Sequence, residues 1–373
     1  MRPLIRSSKP VFPPEDIRLI LQDIAGVLEA GQFRNGKNLK LFEDTVASYT
    51  GVGGAVAFDS DSSAYETALR YFDVAGGEVV VCTNSFVSAP NSVVAAGGKV
   101  VFADIAADSL SMDLESLKQN ISLNTKGVIV THIAGFPNPH LKAIQQICKD
   151  KRLFLIEDAT HAIGATVDGQ KVGSFGDAAI YAFTPTKVIT TGEGGMLVSN
   201  NLELCGFAER FRFYGSGTGK TNFVNLGRHM LLPELSALLG IYQLKRLDEF
   251  ISRRNQIAEQ YNAELEIPGS FTTIKCPEGF QSSYYKYPLI LDSRVDKAAF
   301  TKRLFEDFGI ETGNVFYPPC HMQGAYKKYG VSSYGGLSVA EQVLSRTITL
   351  PMHIGLSDDD VAYVIEKVKG LSS

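Results

Sequence analysis

Between Gly53 and Asn200 the chain alternates short β-branched apolar runs with helical stretches, and this alternation restricts the fold more than any other feature. The runs are Ala55–Phe58, Glu78–Cys82, Lys99–Phe102, Gly127–His132, Leu153–Ile156, Ala178–Phe183 and Met196–Val198. Strands that are apolar on both sides need cover on both faces, so they predict an α/β fold with a mainly parallel seven-stranded sheet between helices. Ligands of such sheets bind beyond the carboxyl ends of the strands, which says where functional side chains belong.

Flanking segments complete the plan. A proline-marked start (Pro3, Pro10, Pro13, Pro14) leads into a helix whose Ile17, Ile20, Leu21, Ile24, Val27 and Leu28 predict one buried face. Leucine spacing from Leu235 onward predicts a long helical stretch up to Leu265. The remainder mixes strand (Tyr285–Leu291) with helix and predicts a smaller C-terminal α+β domain with its own core. The expected division is 1–248 for the large domain and 249–373 for the small one, a size at which two substantial cores fit.

Several function classes are excluded. A net charge of −4, with no basic cluster interleaved with aromatics, speaks against nucleic acid. No apolar run approaches the roughly 18 residues of a membrane span. The N-terminus has no signal-type apolar core, so a cytoplasmic location is expected. The five cysteines and six histidines are dispersed without metal-ligand spacing, and no metal site is expected.

Four predicted strand ends carry the chemistry. Lys187 follows an apolar strand and has no charged residue within five positions on either side. Burial disfavours an ammonium, so such a lysine becomes a nucleophile and proton carrier; otherwise it is an ordinary loop lysine. The run LFLI ends in Glu157-Asp158, where Asp158 is either a helix cap or a carboxylate for a protonated ring nitrogen, with His161 three residues on. AVAF leads to Asp59-Ser60-Asp61-Ser62-Ser63 before a helix, which reads as a capped helix start or as a phosphate cup. VVVCT leads to Phe86, which either stacks on a flat ligand or packs in the core. Together these four describe a pyridoxal phosphate site. The segment GSGTGKT (215–221) lacks the first glycine of a P-loop, having Tyr214 there, and reads as a loop near the site.

With these residues in place, the chain resembles the DegT/DnrJ/EryC1/StrS sugar aminotransferases, a branch of the aspartate-aminotransferase-like (fold-type-I) pyridoxal phosphate enzymes. The resemblance rests on TPTKVITTGEGGM, IEDATHAIGA, GSFGD, VFYPPCHMQGAY and TLPMHIGL, and spans nearly the whole length. It implies Lys187 as the cofactor-carrying lysine, Asp158 at the ring nitrogen, His161 beside the ring, and Ser60, Asp61, Ser62, Ser63, Thr184 and His229 around the phosphate. It further implies pyridoxal 5'-phosphate as cofactor, glutamate as amino donor, a keto-sugar (in the family usually nucleotide-linked) as acceptor, and a homodimer with shared sites. Tyr317 and His321 are candidates at the sugar rim. Three departures stand out: Ala182 replaces the usual phosphate-binding serine, Asp61 stands where glycine is usual, and GRHMLLPE carries His229 and Leu231 in place of asparagine and arginine. A sugar dehydratase of the same fold is the alternative within the class, although its known members replace the lysine. A non-catalytic regulatory homologue is the alternative outside it.

Overall fold

The computed structural model describes residues 3–217, 222–329 and 333–371. All seven expected strands form one sheet: β1 (Gly54–Phe58), β2 (Glu78–Cys82), β3 (Lys99–Ala103), β4 (Thr125–Thr131), β5 (Phe154–Asp158), then β8 (Ala178–Ala182) and β9 (Gly195–Ser199). Between the last two groups a two-residue ribbon intervenes, β6 (Thr166–Val167) with β7 (Gln170–Lys171). The sheet order is β1-β9-β8-β5-β4-β2-β3, and only β9 runs antiparallel to its neighbours.

The period-two alternation of a strand decides which core each side chain joins. Val79 and Val81 of β2 pack with Phe102, Ile129, Ile156 and Leu197 on one face, whereas Val80 and Cys82 join Val101, Val128 and Leu155 on the other. Helix α3 (Asp61–Tyr71) lies on the first face, with Ala64, Tyr65, Ala68 and Leu69 fully enclosed. Burying a side chain such as Leu69 stabilises the fold by about 2 kcal/mol. Ser60 caps α3 by accepting the Ser63 N–H, and Asp61 in the first turn complements the helix dipole.

Two expectations are revised. Helix α1 (Pro14–Ala30) buries Ile20 and Val27, but Ile17, Leu21 and Leu28 are 46%, 62% and 55% exposed. The predicted apolar face is therefore only half covered by its own chain. The stretch after Leu231 is two helices, Glu234–Lys245 and Leu247–Leu265, separated at Arg246, whose guanidinium reaches Asp16, Glu15 and Glu249.

The C-terminal part holds an antiparallel sheet of β10 (Phe271–Thr273), β12 (Tyr287–Leu291) and β13 (Thr347–Leu350), while β11 (Phe280–Gln281) pairs with β6. Its core is not separate, contrary to the expectation. Helix Leu247–Leu265 inserts Ile257, Tyr261 and Leu265 between the sheets, so Val80 and Val128 share one apolar cluster with Leu289 and Ile348.

Candidate active site

The carboxyl ends of β1, β2, β5 and β8 converge on a cavity of about 390 Å³. Lys187 reaches it through the β8–β9 connection, a loop closed on itself by backbone bonds from Phe183 to Gly194 and from Thr191 to Phe183. Inside the loop the Thr190 hydroxyl donates to Phe183 O, the Thr191 hydroxyl donates to Glu193 O, and Lys187 N donates to Thr184 O. The threonine-rich sequence thus satisfies a tight loop whose one cation points to the ligand space. Burial lowers the Lys187 pKa to about 8, against the upward pull of Asp61 and then Asp158.

Asp158 is the last residue of β5 and is 3% exposed. It caps no helix. One carboxylate oxygen accepts from the Thr160 hydroxyl (2.8 Å) and Thr160 N–H, and the other accepts from the Thr131 hydroxyl (3.2 Å). Its neighbour Glu157 anchors the strand end: it accepts N–H groups from Gly173, Phe175 and Gly176 and the ring Nε2 of His132, all inside the protein. His132 Nδ1 accepts the Asn138 N–H, so Nε2 carries the proton donated to Glu157. The sequence motif GSFGD is therefore the clamp of the carboxylate beside Asp158.

His161 is buried, and its ring lies 4.3 Å from the centroid of Tyr285 and stacks at 5.3 Å on Phe316. Its Nδ1 accepts the Ala134 N–H. Burial, with Lys187 and Lys286 nearby, holds its pKa well below the ordinary value. The imidazole is neutral near pH 7, with Nε2 as donor. Phe86 is 52% exposed and lines the cavity, so it is a wall residue and not core.

At the start of α3, Gly195 of β9 allows a close approach: a Cβ there would lie 2.3 Å from Asp61 N. Asp61 lines the cavity, and its carboxylate accepts from the Ser88 hydroxyl at 2.9 Å. Burial raises the Asp61 pKa, opposed by Ser88 and Lys187. The serines divide their duties. Ser60 is the cap, Ser63 donates to Asp59 at 2.6 Å, and Ser62 is exposed.

The cavity therefore gathers Asp61, Phe86, His161, Thr184 and Lys187, with Asp158 behind them, and Ala182 in its wall. Of the other predicted residues, Ser60, Ser62 and Ser63 do not line it, and neither do His229, Tyr317 and His321. His229 is exposed and pairs with Phe213 through a backbone bridge, its ring 5.4 Å from Tyr214. Tyr317 carries the Lys297 ammonium over its ring at 5.0 Å. His321 is held between the Thr83 hydroxyl (2.6 Å) and Glu341 (3.0 Å). Of the GSGTGKT loop, residues 218–221 lie outside the described residues. Sequence reasoning missed Ser7, Ser8, Tyr285, Lys286, Phe316 and Thr349, which come from distant segments. The one available signal was a lysine inside the aromatic run SSYYKYPL.

These residues fit pyridoxal phosphate. At the ring end a buried carboxylate meets a site that also holds a neutral imidazole and a lysine of lowered pKa. At the phosphate end the N-terminus of α3 faces the cavity over a glycine that a side chain would fill. Burial raises the Asp61 pKa, which lessens the repulsion between its carboxyl and a phosphate there.

The profile of the DegT/DnrJ/EryC1/StrS aminotransferase family matches residues 14–369. A dTDP-4-dehydro-2,3,6-trideoxy-D-glucose 4-aminotransferase of Saccharopolyspora spinosa is 31% identical over 98% of this chain and 96% of its own. Among solved structures, the aminotransferase TlmJ of Streptoalloteichus hindustanus superposes with a TM-score of 0.90 at 31% identity, covering 99% and 98% of the two chains. DesV of S. venezuelae, solved in complex with a ketimine intermediate, gives a TM-score of 0.93 at 25% identity over 100% and 99%.

Proposed function

The chain belongs to the DegT/DnrJ/EryC1/StrS aminotransferase family of pyridoxal phosphate-dependent transaminases, and from that premise we propose that it moves the amino group of glutamate onto a nucleotide-linked keto-sugar. Glutamate leaves as its 2-oxo acid, and the keto-sugar leaves as an amino-sugar. The observation that carries this reading is Lys187 in one cavity with Asp61 and His161, backed by buried Asp158.

Pyridoxal phosphate, when bound, supplies a conjugated ring that delocalises the electrons of the substrate carbon. Lys187 Nζ, with a pKa of about 8, is the amine that would hold the cofactor and, once released, would move the proton of the substrate carbon. Asp158, fixed by Thr131 and Thr160, is the carboxylate that would hold a proton on the ring nitrogen. Phe86 and His161, which line the cavity, would contact the ring. The first turn of α3, with Asp61 and Ser62, and Thr184 of the β8–β9 loop would hold the phosphate.

Ser60 and Ser63 shape that turn from behind through the cap and Asp59. His229, Tyr317 and His321 stand outside the cavity of one chain, and we assign them to a rim completed by a second subunit. The half-covered face of α1, with Ile17, Leu21 and Leu28, supports a homodimer. We keep 1–248 and 249–373 as the two functional domains, with Tyr285, Lys286, Phe316 and Thr349 closing the cavity from the second. No helix among the described residues is long and apolar enough to cross a membrane, and we propose a cytoplasmic enzyme.

The test is the absorbance of the cofactor-loaded protein before and after L-glutamate, followed by a nucleotide-linked keto-sugar. Glutamate should convert the aldehyde form of the cofactor to its amine form, the keto-sugar should reverse the change, and Lys187→Ala should abolish both. A loaded protein that no amino acid converts would overturn the reading.

A further inference from the structure

Lys286 is the second lysine of the cavity, and the reaction proposed above gives its charge no role. It is half-buried, and among the described residues no carboxylate pairs with it. Its ammonium spends one N–H on Asn314 O at 2.7 Å and lies 5.5 Å from the Tyr285 ring centroid and 5.6 Å from that of Phe316. The Lys187 ammonium sits 4.8 Å from the same Tyr285 ring, so both cations lie against one aromatic side chain.

The backbone holding Lys286 is rigidly fixed. Its own N–H donates to Ala134 O at 3.0 Å. The flanking carbonyls of Tyr284 and Tyr285 accept the buried Arg254 guanidinium at 2.9 and 3.3 Å. Arg254 also donates to Met352 O, and it tethers this segment to helix Leu247–Leu265. The Tyr285 hydroxyl bonds the Thr186 hydroxyl at 3.0 Å, next to Lys187.

A cation held this firmly, without an internal counter-ion, beside the reacting lysine, is built to receive an anion. We propose that Lys286 binds a carboxylate of the amino donor and so selects an amino acid over a neutral amine. The inference rests on the transaminase reading above. A carboxylate fits better than the diphosphate of a sugar nucleotide, because a single half-buried ammonium against two aromatic faces offers two free N–H groups and no further cation except Lys187.

The groups facing Lys286 are Tyr285 on its own strand approach, Lys187 from the β8–β9 loop and His161 after β5; the 313–316 loop contributes only the Asn314 carbonyl and the Phe316 ring. Burial and Lys187 both lower its pKa, while Tyr285 opposes them. Donor binding should therefore weaken as pH rises through the Lys286 titration.

The experiment is the single-turnover reaction of cofactor-loaded enzyme with L-glutamate, followed by absorbance, for wild type, Lys286→Met and Lys286→Arg. The Met variant should raise the half-saturating glutamate concentration roughly ten- to a hundredfold, the loss of a charge-assisted contact. Its limiting rate should change less than its saturation, Arg should restore part of the affinity, and the KM for the keto-sugar should stay unchanged. The wild-type loss of glutamate affinity at high pH should vanish in the Met variant.

A Met variant with unchanged glutamate saturation and a raised keto-sugar KM would overturn the assignment in favour of a sugar phosphate contact. A fall in limiting rate and thermal stability without a saturation change would reduce Lys286 to a structural tie to Asn314. Failure of the wild type to react with glutamate, glutamine, aspartate or alanine would instead remove the transaminase reading, and this inference with it.

Discussion

Replacing Asp61 by asparagine in the cofactor-free protein probes the electrostatic balance at Lys187 directly. The pKa of about 8 reflects burial opposed by two carboxylates, of which Asp61 exerts the larger pull. At pH 7 a pKa of about 8 leaves about a tenth of the lysine neutral, against about 0.03% for an ordinary lysine near 10.5, a difference of roughly three-hundredfold. Neutralising Asp61 removes the larger of the two attractions for the ammonium, so the Lys187 pKa should fall below about 8. The neutral fraction at pH 7 then rises above about a tenth.

The assay is acylation or reductive methylation of Lys187 across pH 5–11, read by peptide mass spectrometry, with exposed Lys40 as internal reference. Wild type should show a rate midpoint near pH 8, and Asp61→Asn a lower one. A wild-type midpoint near pH 10.5, or a midpoint that rises in the variant, would refute the picture of a desolvated lysine held up by Asp61.

Two further perturbations test the scaffold. Glu157→Gln puts an amide NH₂ against either the Gly173 N–H and His132 Nε2–H or the Phe175 and Gly176 N–H groups. Two buried donors lose their acceptor whichever way the amide points, so urea unfolding should show about 2–5 kcal/mol less stability, and a loss below 1 kcal/mol would count against the clamp. Gly195→Ala sets a methyl 2.3 Å from Asp61 N and must displace the start of α3, so cofactor affinity should fall more than tenfold. Equilibrium dialysis giving wild-type affinity would show that the phosphate does not rest on that turn.

Much of the site was legible because its residues announce strand ends. Asp158 closes an apolar run, Asp61, Phe86 and Lys187 follow one within a few residues, and a parallel sheet gathers such positions at one edge. The roles of the serines were less legible. A run of hydroxyls before a helix looks the same whether it caps the helix or binds a ligand, and here Ser60 and Ser63 bond within the turn. The α1 stripe showed the same ambiguity, because periodicity marks an apolar face without saying which chain covers it.

The layered α/β fold was readable from strand periodicity, and the family and its cofactor from short motifs around Lys187 and Asp158, because each is a local pattern. The tertiary structure alone decided how the cavity is closed. Lys286, Tyr285, Phe316 and Ser7 are separated from Lys187 by about 100 residues or more and share no local signature with it. They arrive there because helix Leu247–Leu265, through Arg254 and a shared apolar core, fixes the second sheet against the first. Long-range packing, unlike strand periodicity, leaves no mark that can be read one residue at a time.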